Sequence, residues 1–305
     1  EDQLMMASAT KEFVEKELDL HRERFEKKDY KLTEDCMKKA GELGLLGISV
    51  PAEYGGMGMP FNTSVLICDK ISGANGSFST AFGAHTGIGT LPILLYGDDA
   101  QRTKYLPKLA SGEWIGCYCL TEPGAGSDAN SGKTKAVLTD DGKHYLITGQ
   151  KMWISNAGFA DVFIVFARIE DDKNITGFIL EKGMEGITLG EEEHKLGLNS
   201  SSTRQVFFNE VKVPVESLLG GRGNGFKIAM NALNVGRIKL SAAVLDACRR
   251  VIGLSTNYSN ERIQFGIPIS KFGAIKHKLA DMAVRTYAIE SATYRAGNDI
   301  EKNIL

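Results

Sequence analysis

The hydrophobic period of this chain changes twice, and those two changes constrain its fold more than any other feature. Up to Gly112 apolar residues recur at helical spacing. Leu4, Phe13, Val14 and Leu18 form one stripe, and Thr33 reads as the cap of a helix that runs through Glu42 and stops at Gly44. Further helices are predicted around 62–74, around 79–95, and from Asp98 or Asp99 to near Ala110, with a turn at Pro51-Ala-Glu-Tyr-Gly-Gly. After Gly112 the period drops to two. The runs 114–120, 135–139, 145–148, 162–167, 176–181 and 205–208 read as short strands, and Asp140-Asp141-Gly142 reads as a hairpin turn. From Gly225 the helical period returns, predicting long helices over 226 to about 257 and 271 to about 300.

The reading is therefore α+β and multidomain: an N-terminal helical domain over 1–113, an all-β domain over 114–220 and the start of a C-terminal helical domain over 221–305. The strands are joined by turns too short for crossover helices, so an antiparallel arrangement is expected rather than a parallel α/β sheet. The last helix reaches Leu305 without a stop, and two helices with apolar faces need partners, so the C-terminal bundle is expected to be truncated.

Composition narrows the function. With 305 residues, 43% of them hydrophobic, and a net charge of −2 without a basic run, the chain carries no footprint for nucleic acid. Five scattered cysteines suit a reducing compartment, and Cys117-x-Cys119 lacks a second ligand pair and reads as packing. The five histidines never fall at ligand spacing, so no metal site is expected. No apolar run spans a bilayer. Because the chain starts at Glu1, a leader could already have been removed.

Two stretches carry chemistry. Gly124-Ala-Gly-Ser-Asp-Ala129, after a strand, matches the dinucleotide fingerprint, but that loop needs a helix directly behind it to receive a pyrophosphate. Here 128–133 has no helical stripe and leads into another strand, and no Gly-Lys-Ser/Thr ends it, so both the Rossmann loop and the P-loop are rejected. What is left is an N–H-rich turn with the Ser127 hydroxyl, either an anion nest or a plain structural turn. The second stretch, 149–158, places Trp153 beside Ser155 and Asn156. It is either a flat apolar wall for a planar cofactor or a core tryptophan followed by a turn.

Tyr118-Cys-Leu-Thr-Glu-Pro-Gly-Ala-Gly-Ser-Asp, Lys151-Met-Trp-Ile-Ser-Asn-Ala-Gly and Arg262-Ile-Gln-Phe-Gly, in that order, resemble the acyl-CoA dehydrogenase family over essentially the whole chain. Gly83-Ala-His85, Leu233-Asn-Val-Gly-Arg237 and Phe272-Gly273 are most similar to its very-long-chain branch. The resemblance implies a middle antiparallel β-barrel, bound FAD, and oxidation of an acyl-CoA to the trans-2-enoyl-CoA with electrons passed to an electron-transfer flavoprotein. It also implies a homodimer or homotetramer at full length. Carried over, Tyr118, Leu120, Thr121, Gly126 and Ser127 would line the flavin and its pyrophosphate, Trp153 would cover one flavin face, Ile154 would also bind the cofactor, and the Ser155 hydroxyl would approach N5. Arg262 and Phe265 would reach the FAD of a neighbouring subunit. Ser127 would also border the CoA, Asn234 and Arg237 would lie by the thioester, and Gly83 would leave the acyl tunnel deep enough for long chains.

The family's usual base, a Glu in a Phe/Tyr-Glu-Gly-Thr stretch of the C-terminal domain, has no equivalent before Leu305. Glu185-Gly-Ile-Thr falls among the strands, and Gly236 occupies the minority position before Arg237. No catalytic residue is assigned: the base is expected beyond Leu305 and the chain itself is expected to be inactive. The rival functions are an acyl-CoA oxidase and a non-catalytic scaffold for respiratory-complex assembly. A bacterial cytoplasm is the expected compartment, with the mitochondrial matrix as the alternative.

Overall fold

A computed structural model describes residues 1–304. Helix α1 (Asp2–Phe13) continues through a wide turn at Val14–Leu18 and is followed by α2 (Arg22–Glu26) and α3 (Tyr30–Glu42). Thr33 does not cap α3. Asp29 lies at the right place for it, its carboxylate accepting the Leu32 N–H at 2.9 Å, and the buried Thr33 hydroxyl instead donates to Ser200 O at 2.9 Å. Helices α4 (Phe61–Ser72) and α5 (Gly76–Gly83), a wide π-type turn at Ala84–Gly89, α6 (Leu91–Tyr96) and α7 (Asp99–Ser111) complete the N-terminal layer. Asp98 caps α7 in a reciprocal box with Gln101, and Gly112 ends it with φ 76°.

The strands are β1 (Gly116–Cys119), β2 (Lys135–Leu138), β3 (His144–Ser155), β4 (Val162–Ile169), β5 (Thr176–Glu181), β6 (Ile187–Glu192), β7 (Thr203–Pro214) and β8 (Leu218–Leu219). Two expectations are corrected here. The sheet is not a closed barrel: it runs β6-β7-β3-β2-β4-β5-β8, with β1 added beside β4. Nor is it purely antiparallel, because β4 pairs in parallel with β1 through its first half and with β2 at its end. β4 thereby joins two sheets whose inner faces bury Phe163, Val165 and Phe178 against Ile147, Val206 and Phe208. The crossover that lets β1 and β4 run parallel is the β2–β3 hairpin, not a helix. Strand β6 was not foreseen, since its side chains are mostly half-exposed or exposed and leave no apolar run.

Helices α8 (Gly225–Ala242) and α9 (Leu245–Glu261) replace the single helix expected over 226–257. The apolar stripe continues across the break at Ala243-Val244, so periodicity could not reveal it. What the break achieves is an ionic seam: Arg250 bonds Asp19 and Asp246, while Arg249 bonds the buried Asp69 of α4. A tight hairpin of β9 (Ile263–Gln264) and β10 (Ile267–Pro268) leads to α10 (Gly273–Ile304), whose Tyr294 hydroxyl also donates to Asp69 at 3.0 Å.

Strand β1 is pressed onto the π-type turn. A Cβ on Gly89 would lie 2.9 Å from the Gly116 carbonyl carbon, so this close approach of two backbones requires glycine. Beside it, the fully buried His85 accepts the Gly116 N–H on Nδ1 at 2.9 Å and must then donate from Nε2 to Leu109 O, also at 2.9 Å. One imidazole thus joins α7, the turn and the free edge of β1.

Candidate functional site

Where β1, the end of β3 and α8 meet, a cavity of about 330 Å³ opens. Tyr118 and Leu120 form its buried apolar floor, and the Tyr118 hydroxyl donates to Ala229 O of α8 at 3.2 Å. Burial pushes the Tyr118 phenol well above its ordinary range, so it stays neutral. Ile88, Met230 and Leu233 close the helical side.

The polar groups come from the two stretches singled out in the sequence. Past β1 the chain makes a tight bridge, with Glu122 and Ala125 exchanging backbone hydrogen bonds of 3.1 Å, and this presents Gly126 and Ser127 at the cavity. Only a single 3-10 turn (Ala129–Ser131) separates this loop from the run into β2, which agrees with rejecting a Rossmann loop. The backbone N–H groups of Thr121, Gly126 and Ser127, and the hydroxyls of Thr121, Ser127 and Ser155, have no partner among the described residues. They are available to a ligand.

On the β3 side a bulge interrupts pairing with β7 between Lys151 and Ile154 and turns Trp153 out of the ladder, at φ 58° and 60% exposed. Trp153, Ile154 and Ser155 line the cavity together. Asn156 follows at φ 69°, fully buried, and its amide donates to Ala81 O of α5 at 2.9 Å, fixing the end of β3 against the helical layer.

Arg237 reaches the cavity from α8, held by a 2.6 Å bond from its guanidinium to Asn234 Oδ1. Asn234 is thus placed behind Arg237 and does not itself line the cavity. Gly83 is outside the lining too, at the end of α5, where an added Cβ would meet nothing within 4 Å. Arg262 and Phe265 sit apart on the β9–β10 hairpin. Phe265 has φ 51°, followed by Gly266 at 77°, and its ring is 93% exposed.

Sequence reasoning passed over the charges beneath this site. Lys151 and Glu122 are buried, 2.6 Å apart. Burial acts to raise the Glu122 carboxyl, but the Lys151 charge and the hydrogen bonds from Lys151, Thr134 and Lys133 outweigh it and hold it below its ordinary range. His85 was noted only for its spelling, and Asn156 was given no role. The available signal was position: Glu122 and Lys151 each lie within a stretch already marked as chemical.

The chain matches, in succession, the models for the acyl-CoA dehydrogenase N-terminal domain over residues 1–113, the middle domain over 117–211 and the C-terminal domain over 223–304. It belongs to the acyl-CoA dehydrogenase family. Relatives include a probable acyl-CoA dehydrogenase of Bacillus subtilis, 48% identical over 98% of this chain and 50% of that protein. The human mitochondrial very long-chain specific acyl-CoA dehydrogenase is 44% identical over 86% of this chain and 41% of that protein. The fold superposes on an acyl-CoA dehydrogenase complexed with FAD from Bacillus anthracis with a TM-score of 0.94 and 45% identity, covering 99% of this chain and 51% of the other. The chain spans about half the length of these relatives. As in other chains of the acyl-CoA dehydrogenase family, helical, β and helical parts follow one another, and the cavity lies where all three converge.

Proposed function

We propose that this chain carries the FAD and acyl-CoA site of a dehydrogenase that converts a long-chain acyl-CoA to the trans-2-enoyl-CoA and passes the electrons to an electron-transfer flavoprotein. The observation that carries this reading is the cavity itself, in which an exposed indole held in a strand bulge faces unpaired N–H and hydroxyl groups across an apolar floor. That donor set fits a planar cofactor with a polar edge: Trp153 and Ile154 would cover the ring, while Thr121, Ser155 and the amides of Gly126 and Ser127 would take its hydrogen bonds. Bound there, FAD supplies the two-electron acceptor.

The rest is the work of the chain's own residues. Tyr118, Leu120, Met230 and Leu233 exclude water, which strengthens every polar contact made in the cavity. Arg237, oriented by Asn234, offers a cation to the thioester end, and Ser127 at the exposed rim borders the CoA. The open space beside Gly83 supports a long acyl chain. Among the described residues, no carboxylate or imidazole lines the cavity, so the base that takes the α-proton comes from outside this lining.

The test is reconstitution of the purified chain with FAD, followed by anaerobic addition of a long-chain acyl-CoA. FAD uptake without bleaching of the flavin absorption is expected. No FAD uptake would overturn the cofactor reading, and bleaching with turnover would overturn the external base. Rapid reoxidation by air in a bleached sample would point to an oxidase.

A further inference from the structure

The loop that brings Thr121, Gly126 and Ser127 to the cavity is anchored at its root by the buried Glu122–Lys151 pair, and this anchor sets a direction as well as a position. Lys151 Nζ donates to Glu122 Oε1 at 2.6 Å and to Leu120 O at 3.1 Å. Glu122 also accepts the backbone N–H groups of Lys133 at 2.6 Å and Thr134 at 3.1 Å, at the entry to β2. One residue along β3, the Met152 N–H donates to Thr121 O at 3.0 Å. A trans peptide is planar, with its C=O and N–H pointing in opposite directions. With Leu120 O turned toward Lys151, the Thr121 N–H must point away from the pair. Leu120 and Thr121 line the cavity and Lys151 does not, and this N–H has no partner among the described residues. Lys151 is also the last residue of β3 paired with β7 before the bulge that turns Trp153 outward.

We infer that Glu122 and Lys151 are positioning residues for the flavin: one buried pair fixes both the Thr121 N–H and the register of the Trp153 bulge on either side of the ring. This rests on the proposed function, and the experiment separates the two. Replacing both charges in E122Q/K151M removes the ion pair without leaving either charge unpaired, and the glutamine carbonyl still accepts the Lys133 and Thr134 N–H groups, so the flavin-free fold is retained. A purely structural pair would lower flavin-free stability and FAD affinity together. A positioning pair predicts a flavin-free Tm within about 3 °C of the unsubstituted protein and an FAD Kd raised at least about tenfold, the loss of roughly one charge-assisted hydrogen bond. The visible bands of the bound flavin should shift as well. Unchanged Kd and unchanged bands in E122Q/K151M would overturn the inference. If that variant does not fold, Lys151→Met decides on the same two readouts, since the Glu122 carboxylate keeps its Lys133 and Thr134 N–H donors while Leu120 O loses the contact that turns it. If the unsubstituted protein takes up no FAD, it is the proposed function that falls.

Discussion

Trp153 sits in a backbone conformation that a bulky L-residue adopts only at a cost of ~1–3 kcal/mol, with φ 58° and most of its ring in solvent. Burial does not offset that cost. The bulge imposes it: three steps along β3, from Lys151 to Ile154, face two along β7, from Val206 to Arg204. Asparagine tolerates a positive φ far better, and little packing is lost with an exposed indole. Trp153→Asn should therefore raise the stability of the flavin-free protein by ~1 kcal/mol, measured by urea denaturation, while weakening FAD binding at least about tenfold in a fluorescence titration. A variant that binds FAD as tightly as the parent would show that the strain serves something else. At this scale the sequence was informative for groups that act locally. Trp153, Ser155 and Thr121 stand in short stretches whose residue types advertise a wall and donors. Glu122 and Lys151 did not stand out, because they meet across 29 residues only once β3 lies beside the loop, and each alone reads as a solvated charge.

His85 shows what one side chain does for three elements. Burial pushes it down to about 4 from its ordinary 6.5, overcoming the hydrogen bond to Leu109 O that favours the charged form. A group whose folded value lies below its unfolded one adds stability that is complete above pH 6.5 and lost as the pH falls toward 4, because the unfolded chain takes up the proton first. At ~1.4 kcal/mol per pH unit this amounts to about 3 kcal/mol. Urea denaturation across that window should show the parent losing about 3 kcal/mol more than His85→Gln; parallel curves for the two would refute the assignment. The elements that His85 joins were mostly visible in the periodicity, since strands and helices bury different spacings. Their pairing was not. Nothing in an apolar run at 162–167 says that this strand will pair with β1 through its first half and with β2 just beyond the run, or that β6 and β8 will end the sheet where a barrel was expected.

At the scale of the whole molecule the C-terminal helices are its least covered part. Leu254, Tyr258, Val284 and Tyr287 are each more than 60% exposed, and the strained β9–β10 turn holds Phe265 out beside Arg262, which forms no ion pair among the described residues. An amphipathic helix buries its apolar stripe against something, and Phe265, whose ring meets the edge of Phe272 at 6.2 Å, still leaves most of its surface free for a further contact. We propose that the cavity and the hairpin are two halves of a site that copies of the chain complete for one another. Two variants with complementary damage test this: Arg262→Glu spoils what a copy offers, and Trp153→Asn spoils what it receives. Each alone should retain little FAD. Unfolded together in equal amounts and refolded, half of randomly formed dimers carry one chain of each kind, and in those one of the two sites has an intact cavity and an intact partner arginine. Roughly a quarter of all sites should then recover FAD, read as flavin absorbance retained through gel filtration. Recovery no greater than the average of the two variants alone would mean that Arg262 serves its own copy or no flavin at all.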